Sequence, residues 1–275
     1  MGVEKRPGYT LGEKEDAIAF MRIRSVERCC AFFRPAVERD SDILDCGCGP
    51  GNLTVGLAAW APEGKTVGCD VAVNQLEGAK TLARTLGRDN VRFEKGDVFE
   101  LPFEDERFDV VFSHALLCHV GSPEKALAEM KRVLRKGGTL AVRDVIQDCV
   151  VRWPRGDTLF DEVNRIFELA QNLSGGDPNI GRRLGALLDE AGFHDVRFNV
   201  DFEQPETPAE RRGYFDSLAG MLDAGDLGDL AVAQKWIEAD QIPRIADHFR
   251  EVTRRPGSIV ALPLGQAVGR KPKRG

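Results

Sequence analysis

Three glycines at alternate positions, Gly47, Gly49 and Gly51, follow a short apolar run and precede a helical pattern. Glycine adopts backbone conformations closed to other residues, and it lets a ligand approach the main chain closely. A strand, a glycine-rich turn and a helix in this order are typical of a nucleotide-binding loop. We therefore expect this turn to hold a nucleotide.

Residues within and beside the turn narrow the choice of nucleotide. The dinucleotide fingerprint requires a glycine three positions after Gly49, where this chain has Asn52. Asp45, at the end of the strand, would repel a pyrophosphate and attract a cationic ligand. No Gly-Lys-Ser or Gly-Lys-Thr follows the turn, which excludes a P-loop. S-adenosylmethionine has a sulfonium, an ammonium and no phosphate, so it fits better than NAD, and a nicotinamide oxidoreductase is disfavoured.

Further acids follow the next two strands. Asp70 ends the second strand, where a carboxylate accepts both ribose hydroxyls; the alternative is that it caps the next helix. Asp97 follows the third strand and is predicted to lie beside the adenine amine; the alternative is a turn-forming role. Asp45 contacts the ligand directly or acts through loop amides. The other residues assigned to the cofactor site are Cys48, Val71, Gln75, Val98, Ser113 and His114.

Two of the four histidines lie together, just after the predicted fourth strand. We consider His119 a candidate general base for a hydroxyl, phenol or amine, and His114 a second candidate. The alternatives are that His119 orders its loop or packs over the cofactor, and that His114 caps the strand end. His119, Tyr9 and Asp144 are assigned to the acceptor-substrate site, although Tyr9 is equally consistent with a surface position and Asp144 with a solvated or capping acid. No metal site is predicted.

Alternating strand and helix patterns position these residues. Five strands separated by helices predict an α/β fold with a doubly wound, mostly parallel sheet. Two later strands bring the expected number to seven. The first five predicted strands end with Asp42 to Asp45, Val67 to Asp70, Val91 to Lys95, Arg107 to Ser113 and Gly138 to Asp144. The last two cover Val196 to Val200 and Ser258 to Val268.

Together, these motifs resemble the class I S-adenosylmethionine-dependent methyltransferases, and in particular small-molecule enzymes of the ubiquinone and menaquinone biosynthesis type. The resemblance is close over about residues 40–146; besides the glycine turn, Asp70 and Asp97, it includes Leu101-Pro102-Phe103, Phe108 to Val111 and Leu134 to Gly138. It implies methyl transfer from S-adenosylmethionine to an O, N, C or S atom of a small, partly apolar molecule. The alternative is a non-methylating protein of the same fold, such as a cyclase or a binding subunit.

The same resemblance divides a single 275-residue domain into three parts. Residues 1–40 form a helical lid, with a helical pattern over Glu13 to Val37. Residues 41–150 form the cofactor-binding core. Residues 151–275 hold the last strands and two insertions, one over Arg152 to Asn179 with a helix from Asp157 to Leu173, and a helical one over Pro208 to Val252. Because such insertions vary between relatives, we expect them to determine substrate choice.

Composition supports a globular enzyme that acts on a small molecule. The hydrophobic content of 42% is enough for a large core, and the net charge of −6 disfavours nucleic acid as a partner. No run of apolar residues is long enough to span a bilayer, and we expect no membrane partner and no signal peptide. Seven cysteines without zinc or redox spacing are typical of a reducing compartment, so a cytoplasmic location is expected. For the oligomeric state we expect a monomer or homodimer.

Overall fold

The computed structural model describes residues 15–252, 255 and 257–273 of the chain. Its strands are β1 (Ile43–Cys46), β2 (Thr66–Asp70), β3 (Val91–Lys95), β4 (Phe108–His114), β5 (Leu134–Val145), β6 (Val151–Trp153), β7 (His194–Glu203) and β8 (Ile259–Arg270). Its α-helices are α1 (Glu15–Arg22), α2 (Val26–Cys29), α3 (Asn52–Trp60), α4 (Val73–Thr85), α5 (Pro123–Val133), α6 (Thr158–Leu173), α7 (Leu184–Glu190), α8 (Pro208–Asp223), α9 (Asp226–Ala233) and α10 (Gln241–Val252). Short 3₁₀ segments include Leu117–His119 and Ala31–Ala36.

The described strands form one eight-stranded sheet in the order β3-β2-β1-β4-β5-β8-β6, with β7 on the other side of β8. The first five strands in this order run parallel, and β8 is antiparallel to β5, β6 and β7. The chain passes from β1 to β2 on one side and to β4 on the other. A ligand site is expected at this reversal, beyond the carboxyl ends of β1 and β4.

The predicted fold class is therefore confirmed, with two differences in detail. The sheet has eight strands rather than seven, because the three-residue strand β6 pairs with the start of β8. The expected continuous helix from Glu13 to Val37 is instead divided into α1, α2 and a 3₁₀ segment that contains Pro35. Proline cannot donate a backbone hydrogen bond, and its ring disfavours the helix interior, so a regular helix does not continue there.

Apolar side chains pack in layers on the sheet and in a separate helical cluster. One layer joins α5 and α7 to the strands, and another places α2 and α3 against β1 and β4. A third large cluster consists mainly of α1, α6, α8, α9 and α10. This helical cluster brings the amino-terminal segment together with both predicted insertions, and it borders the reversal point of the sheet. Among the described residues, no helix has the length and apolar character needed to cross a bilayer.

Candidate cofactor and acceptor sites

A cleft of about 50 Å³ lies where the glycine turn leaves β1. Its walls come from the turn, the ends of β2 and β4, and the segment that follows α1. The lining residues are Met21, Arg24, Asp45, Gly47, Cys48, Gly49, Pro50, Asn52, Leu53, Asp70, Gln75, His114 and Ala115. Seven of the twelve residues assigned to the cofactor from the sequence therefore line this cleft, and Gly51 lies in the same turn.

Backbone hydrogen bonds hold the glycine turn against β2. The N–H groups of Gly47 and Cys48 donate to the carbonyl oxygen of Cys69, at 2.8 and 3.2 Å. Gly49 has a φ of +51°, and a Cβ added there would lie 3.1 Å from Gln75 Oε1. Gly51 has a φ of +78°, and its Cβ would lie 2.6 Å from Ala79 Cβ. The turn thus requires glycine both for its left-handed conformation and for close packing.

Asp70 accepts backbone N–H groups from the glycine turn and from the residue before α4, and its contact with ribose stays a prediction. Its Oδ2 accepts the N–H of Gly49 at 2.8 Å, and its Oδ1 accepts the N–H of Ala72 at 2.9 Å, immediately before α4. The carboxylate also lines the cleft. Because a carboxylate oxygen has more than one acceptor direction, these two backbone bonds leave capacity for ribose hydroxyls.

Asp45 is almost completely buried at the floor of the cleft. Its Oδ2 accepts the hydroxyl of Thr54 at 2.7 Å, so its observed bond is to α3 and not to loop amides. Burial raises the pKa of Asp45 to about 7, although the Thr54 bond acts in the opposite direction. A cation bound in the cleft would favour the ionised form of this carboxyl.

Gln75 is the clearest unsatisfied group of the cleft. Its side chain is 4% exposed, and its Oε1 has no hydrogen-bond partner among the described residues. A buried acceptor without a donor is costly, so a bound ligand that supplies one is favoured. Gln75 therefore offers an acceptor for a hydroxyl or amine of the cofactor.

Four of the predicted cofactor residues lie away from the cleft wall. Val71 is 52% exposed, and Ser113 is buried within β4. Asp97 is exposed and its Oδ1 accepts the N–H of Phe99 at 2.9 Å, which is the turn-forming role left open by the sequence. Val98 packs against the core. Contact of Asp97 or Val98 with adenine stays a prediction.

His114 lines the cleft but belongs to a buried charged cluster. Its Nε2 lies 3.2 Å from Nη1 of Arg143, and Arg143 lies 3.3 Å from Glu203. Burial, followed by the charge of Arg24, lowers the pKa of His114 to about 3. Burial alone would disfavour ionised Glu203, but the charge of Arg24 and the bond to His114 keep the pKa of Glu203 well below its usual range. The backbone capping considered for His114 is thus replaced by side-chain contacts.

This cluster also brings together a thiol, an imidazole and a carboxylate, which are side-chain groups that bind metal ions in proteins. The ligand atoms of Cys29, His114 and Glu203 lie within 4.8 Å of one another. However, both Arg24 and Arg143 form ion pairs with Glu203, so two guanidinium groups occupy the surroundings of any cation placed there. Positive charge at this distance opposes metal binding.

A second cavity, of about 60 Å³, adjoins the first. Residues Arg24 and Ala115 line both cavities. The other walls are mainly aromatic and aliphatic, and they come from α1, α6, α8, α10 and β8. The remaining lining residues are Phe20, Cys118, His119, Val145, Gln147, Val150, Phe160, Val163, Asn164, Phe167, Gln171, Tyr214, Leu218, Phe249 and Leu262.

His119 contributes an imidazole to this second cavity. Burial, followed by the charge of Arg24, lowers the pKa of His119 to about 4. The ring is therefore neutral near pH 7 and carries a lone pair that can accept a proton. His119 thus lies in the short segment that follows β4, and its role toward an acceptor stays a prediction.

The assignment of Asp144 to the substrate site requires a correction, because its side chain lines neither cavity. It is 1% exposed, so it is not the solvated acid considered above. Its Oδ2 accepts the N–H groups of Leu116 and Leu117, at 3.1 and 2.7 Å, and its Oδ1 accepts the N–H of Val145. Asp144 thus holds the turn that carries His119. Tyr9, the other predicted acceptor contact, lies outside the described residues.

Sequence reasoning missed Arg24, Gln171 and the role of Asn52. The Asn52 amide donates to the carbonyl oxygen of Arg24 at 2.6 Å and reaches that of Met21 at 3.5 Å. Arg24 Nε in turn lies 3.3 Å from Glu203 Oε2. The sequence showed that position 52 is not glycine. It did not show that the Asn52 side chain holds the segment after α1 against the glycine turn by hydrogen bonds.

Comparisons with known proteins agree with this geometry. A family model described as a methyltransferase domain matches residues 38–177. The chain is 38% identical over 148 residues to the probable methyltransferase ltbC of Aspergillus luteorubrus, covering 50% of this chain and 52% of ltbC. It is 39% identical over 214 residues to methyltransferase GfsG of Streptomyces halstedii, and the match covers 76% of this chain and 72% of GfsG. It is 32% identical over 174 residues to demethylmenaquinone methyltransferase of Staphylococcus aureus, and the match covers 58% of this chain and 71% of that enzyme. The chain thus spans about half the length of ltbC.

Solved structures share the fold at lower identity. Haemonchus contortus phosphoethanolamine N-methyltransferase 2, in complex with phosphomonomethylethanolamine and S-adenosylhomocysteine, matches with a TM-score of 0.56 and 16% identity, covering 94% of this chain and 58% of that one. The cyclase SpnF matches with a TM-score of 0.51 and 22% identity, and the match covers 94% of this chain and 80% of SpnF. These two matches concern the fold alone.

Proposed function

The chain belongs to the methyltransferase-domain family, whose cofactor is S-adenosylmethionine, and on this basis we propose that it transfers a methyl group from this cofactor to a small, partly apolar acceptor. The observation that carries the proposal is the junction of the two cavities at Arg24 and Ala115. A cofactor in the first cavity would present its methyl group toward an acceptor in the second.

The chemistry proposed for this junction is an in-line displacement. An acceptor atom forms a bond to the methyl carbon, the carbon–sulfur bond breaks, and its electron pair remains on sulfur in S-adenosylhomocysteine. The protein mainly has to hold the two reactants in contact and aligned, which supplies up to ~7–11 kcal/mol in favourable cases. If the acceptor atom carries a proton, neutral His119 is the residue proposed to receive it.

The cofactor site is proposed to consist of the turn residues Asp45, Gly47, Cys48, Gly49 and Gly51, together with Asp70, Gln75 and His114. Asp70 would accept ribose hydroxyls while it holds the N–H of Gly49. The unpartnered Gln75 Oε1 would accept a further hydrogen bond from the cofactor. The demand for glycine at the turn supports this assignment, since a Cβ at position 49 would lie 3.1 Å from Oε1 of Gln75, which also lines the cleft.

The acceptor is proposed to be a small molecule with a substantial apolar part. Aromatic rings of Phe160, Phe167, Tyr214 and Phe249 line the second cavity. The name of the Staphylococcus aureus relative, a demethylmenaquinone methyltransferase, is consistent with such an acceptor. The methylated atom is left as O, N, C or S. All seven cysteines are free thiols and six are buried, which supports the proposed cytoplasmic location. The proposed oligomeric state is a monomer or homodimer.

Release of S-adenosylhomocysteine is the measurement that tests this function. The purified protein is incubated with S-adenosylmethionine and a panel of small phenols, quinols, amines and thiols, and both products are identified by mass spectrometry. We expect one class of acceptor to gain a methyl group with equimolar S-adenosylhomocysteine, and Gly49→Val to abolish the reaction. If the cofactor binds but no panel member is methylated, a non-methylating protein of this fold, such as a cyclase or binding subunit, is favoured instead.

A further inference from the structure

The second cavity contains one buried hydrogen-bond acceptor that the protein leaves unused. Gln171, on α6, is 4% exposed, and its Oε1 has no partner among the residues that the structure describes. The same side chain lines the cavity. Burying an amide oxygen without a donor is unfavourable, so its position in a ligand cavity indicates that the donor comes from the ligand.

Contacts behind Gln171 fix which end of its amide faces the cavity. Gln171 Nε2 donates to Sγ of Cys118 at 3.7 Å. The amide thus presents its NH₂ to sulfur, and its oxygen is the end left without a partner at the cavity wall. Cys118 thus acts as a positioning residue for Gln171.

The charge in the cavity argues against a cationic ligand. Arg24 lines the same cavity as Gln171, and its charge, after burial, contributes to lowering the pKa of His119 there. An ammonium group would meet this positive charge as well as the sulfonium of the cofactor. A neutral hydroxyl satisfies Gln171 Oε1 without that penalty.

We propose that Gln171 Oε1 accepts a hydrogen bond from a hydroxyl group of an aromatic acceptor, whose ring packs among Phe160, Phe167, Tyr214 and Phe249. This subsite rests on the proposed function, because it assumes that the second cavity holds the methyl acceptor. It defines the substrate class as phenol-like: an aromatic body for the apolar walls and a hydroxyl for the buried amide oxygen.

Matched ligand pairs test the subsite directly. Phenol, 1-naphthol and 2-naphthol are each compared with the analogue in which fluorine replaces the hydroxyl, and their binding to the protein saturated with S-adenosylhomocysteine is measured by calorimetry. We expect at least one hydroxyl compound to bind about tenfold more tightly than its fluoro partner, as one buried neutral hydrogen bond allows. Absence of binding by every pair, or equal binding within every pair, overturns the proposal without any variant.

Two variants then assign the preference to Gln171. Gln171→Met has a similar size and removes the acceptor oxygen, so we expect the hydroxyl preference to fall to about twofold or less. Asn172→Met, at the exposed next position of α6, should keep the preference of the wild type. An unchanged preference in Gln171→Met contradicts the proposal.

Affinity for S-adenosylhomocysteine separates this proposal from the function on which it rests. In both variants it should stay within about twofold of wild type, because Gln171 does not line the cofactor cleft. If wild-type protein fails to bind S-adenosylhomocysteine, the proposed function fails. If it binds this ligand and methylates an acceptor that lacks a hydroxyl, only the subsite assignment fails.

Discussion

The cofactor cleft and the acceptor cavity share a wall but are built in different ways. Most of the cleft comes from one stretch of chain, from Asp45 to Gln75, in which backbone groups and glycines determine the shape. The acceptor cavity collects side chains from positions as distant in sequence as Phe20 and Leu262. The first can be recognised from local spacing, whereas the second depends on how separate helices pack.

This difference predicts that the two cavities can be damaged separately. Changes in the glycine turn should prevent cofactor binding, and changes in α6 should affect the acceptor while the cofactor still binds. Arg24 and Ala115 are the exceptions, because they line both cavities, and Arg24 also pairs with Glu203. The separation is therefore strongest for residues far from these two.

The largest effect is expected from Gly49→Val. The new side chain would meet Gln75 Oε1 and Met21 Sδ, and valine would be forced to a φ of +51°. Strain and overpacking together should weaken S-adenosylhomocysteine binding by about 100-fold or more. Calorimetry measures the loss. Gly213→Ala, where an added Cβ meets nothing within 4 Å, should bind normally. Wild-type affinity in Gly49→Val would show that the ligand does not lie against this turn.

The reciprocal change fills the acceptor cavity. Val163 is buried on α6 and lines only the second cavity. Val163→Trp should lower kcat/KM for the acceptor by about 30-fold, because the larger side chain occupies substrate space. S-adenosylhomocysteine affinity should be unchanged. Asn172→Trp, on the exposed side of the same helix, is the control. Equal losses of cofactor and acceptor binding in Val163→Trp would mean that the cavities are not separable.

A smaller effect, dependent on pH, is expected at Asp45. Its pKa is raised to about 7 in the folded protein, above its ordinary value of 3.8, so protonation favours the folded state. In the ligand-free protein this contribution to the unfolding free energy is fully present below about pH 4 and is lost as the pH rises through 7. Denaturant titrations should show this decline in wild type and not in Asp45→Asn.

The same ionisation should distinguish the two forms of the cofactor. Ionised Asp45 attracts the sulfonium of S-adenosylmethionine, whereas the sulfur of S-adenosylhomocysteine is neutral. Between pH 6 and 8, we expect affinity for S-adenosylmethionine to rise by about tenfold relative to that for S-adenosylhomocysteine. Asp45→Asn should abolish this difference. An identical pH response of both ligands in wild type would contradict an electrostatic role for Asp45.

The smallest effect is expected at Asp97. Its side chain is exposed and already accepts the N–H of Phe99, so contact with the adenine amine would add one solvent-accessible hydrogen bond. Asp97→Ala should reduce S-adenosylhomocysteine affinity by about 3- to 10-fold. An affinity equal to that of wild type would leave Asp97 with its turn-forming role alone.

The sequence was sufficient for the elements that follow local rules. The strand–turn–helix pattern, the acid at the end of β2 and the alternation of strands and helices gave the fold class and the location of the cleft. The eighth strand was missed because Val151–Trp153 is too short for its alternation to be recognised. The amino-terminal helix is divided before α2, where the side chain of Ser25 caps the new helix, and again at the 3₁₀ segment that contains Pro35; neither break is visible in the apolar periodicity.

The side chains of the acceptor cavity required tertiary information. Gln171 looks like an ordinary polar residue on an amphipathic helix, and only the neighbouring Cys118 shows why it is buried. Asp144 was assigned to the substrate site, but its hydrogen bonds run to the backbone of the turn before His119, in agreement with the capping alternative. Arg24 gave no signal in the sequence because Glu203, its partner, lies 179 residues away.

Calorimetric titration with S-adenosylhomocysteine and, separately, NADH tests the central claim most directly. We predict one S-adenosylhomocysteine site per chain and no binding of NADH. Asp70→Ala should lose most of this affinity, because it removes the acceptor for ribose and the bond that holds Gly49. Binding of NADH, or no binding of S-adenosylhomocysteine by folded wild-type protein, would contradict the assignment of the glycine turn to this cofactor.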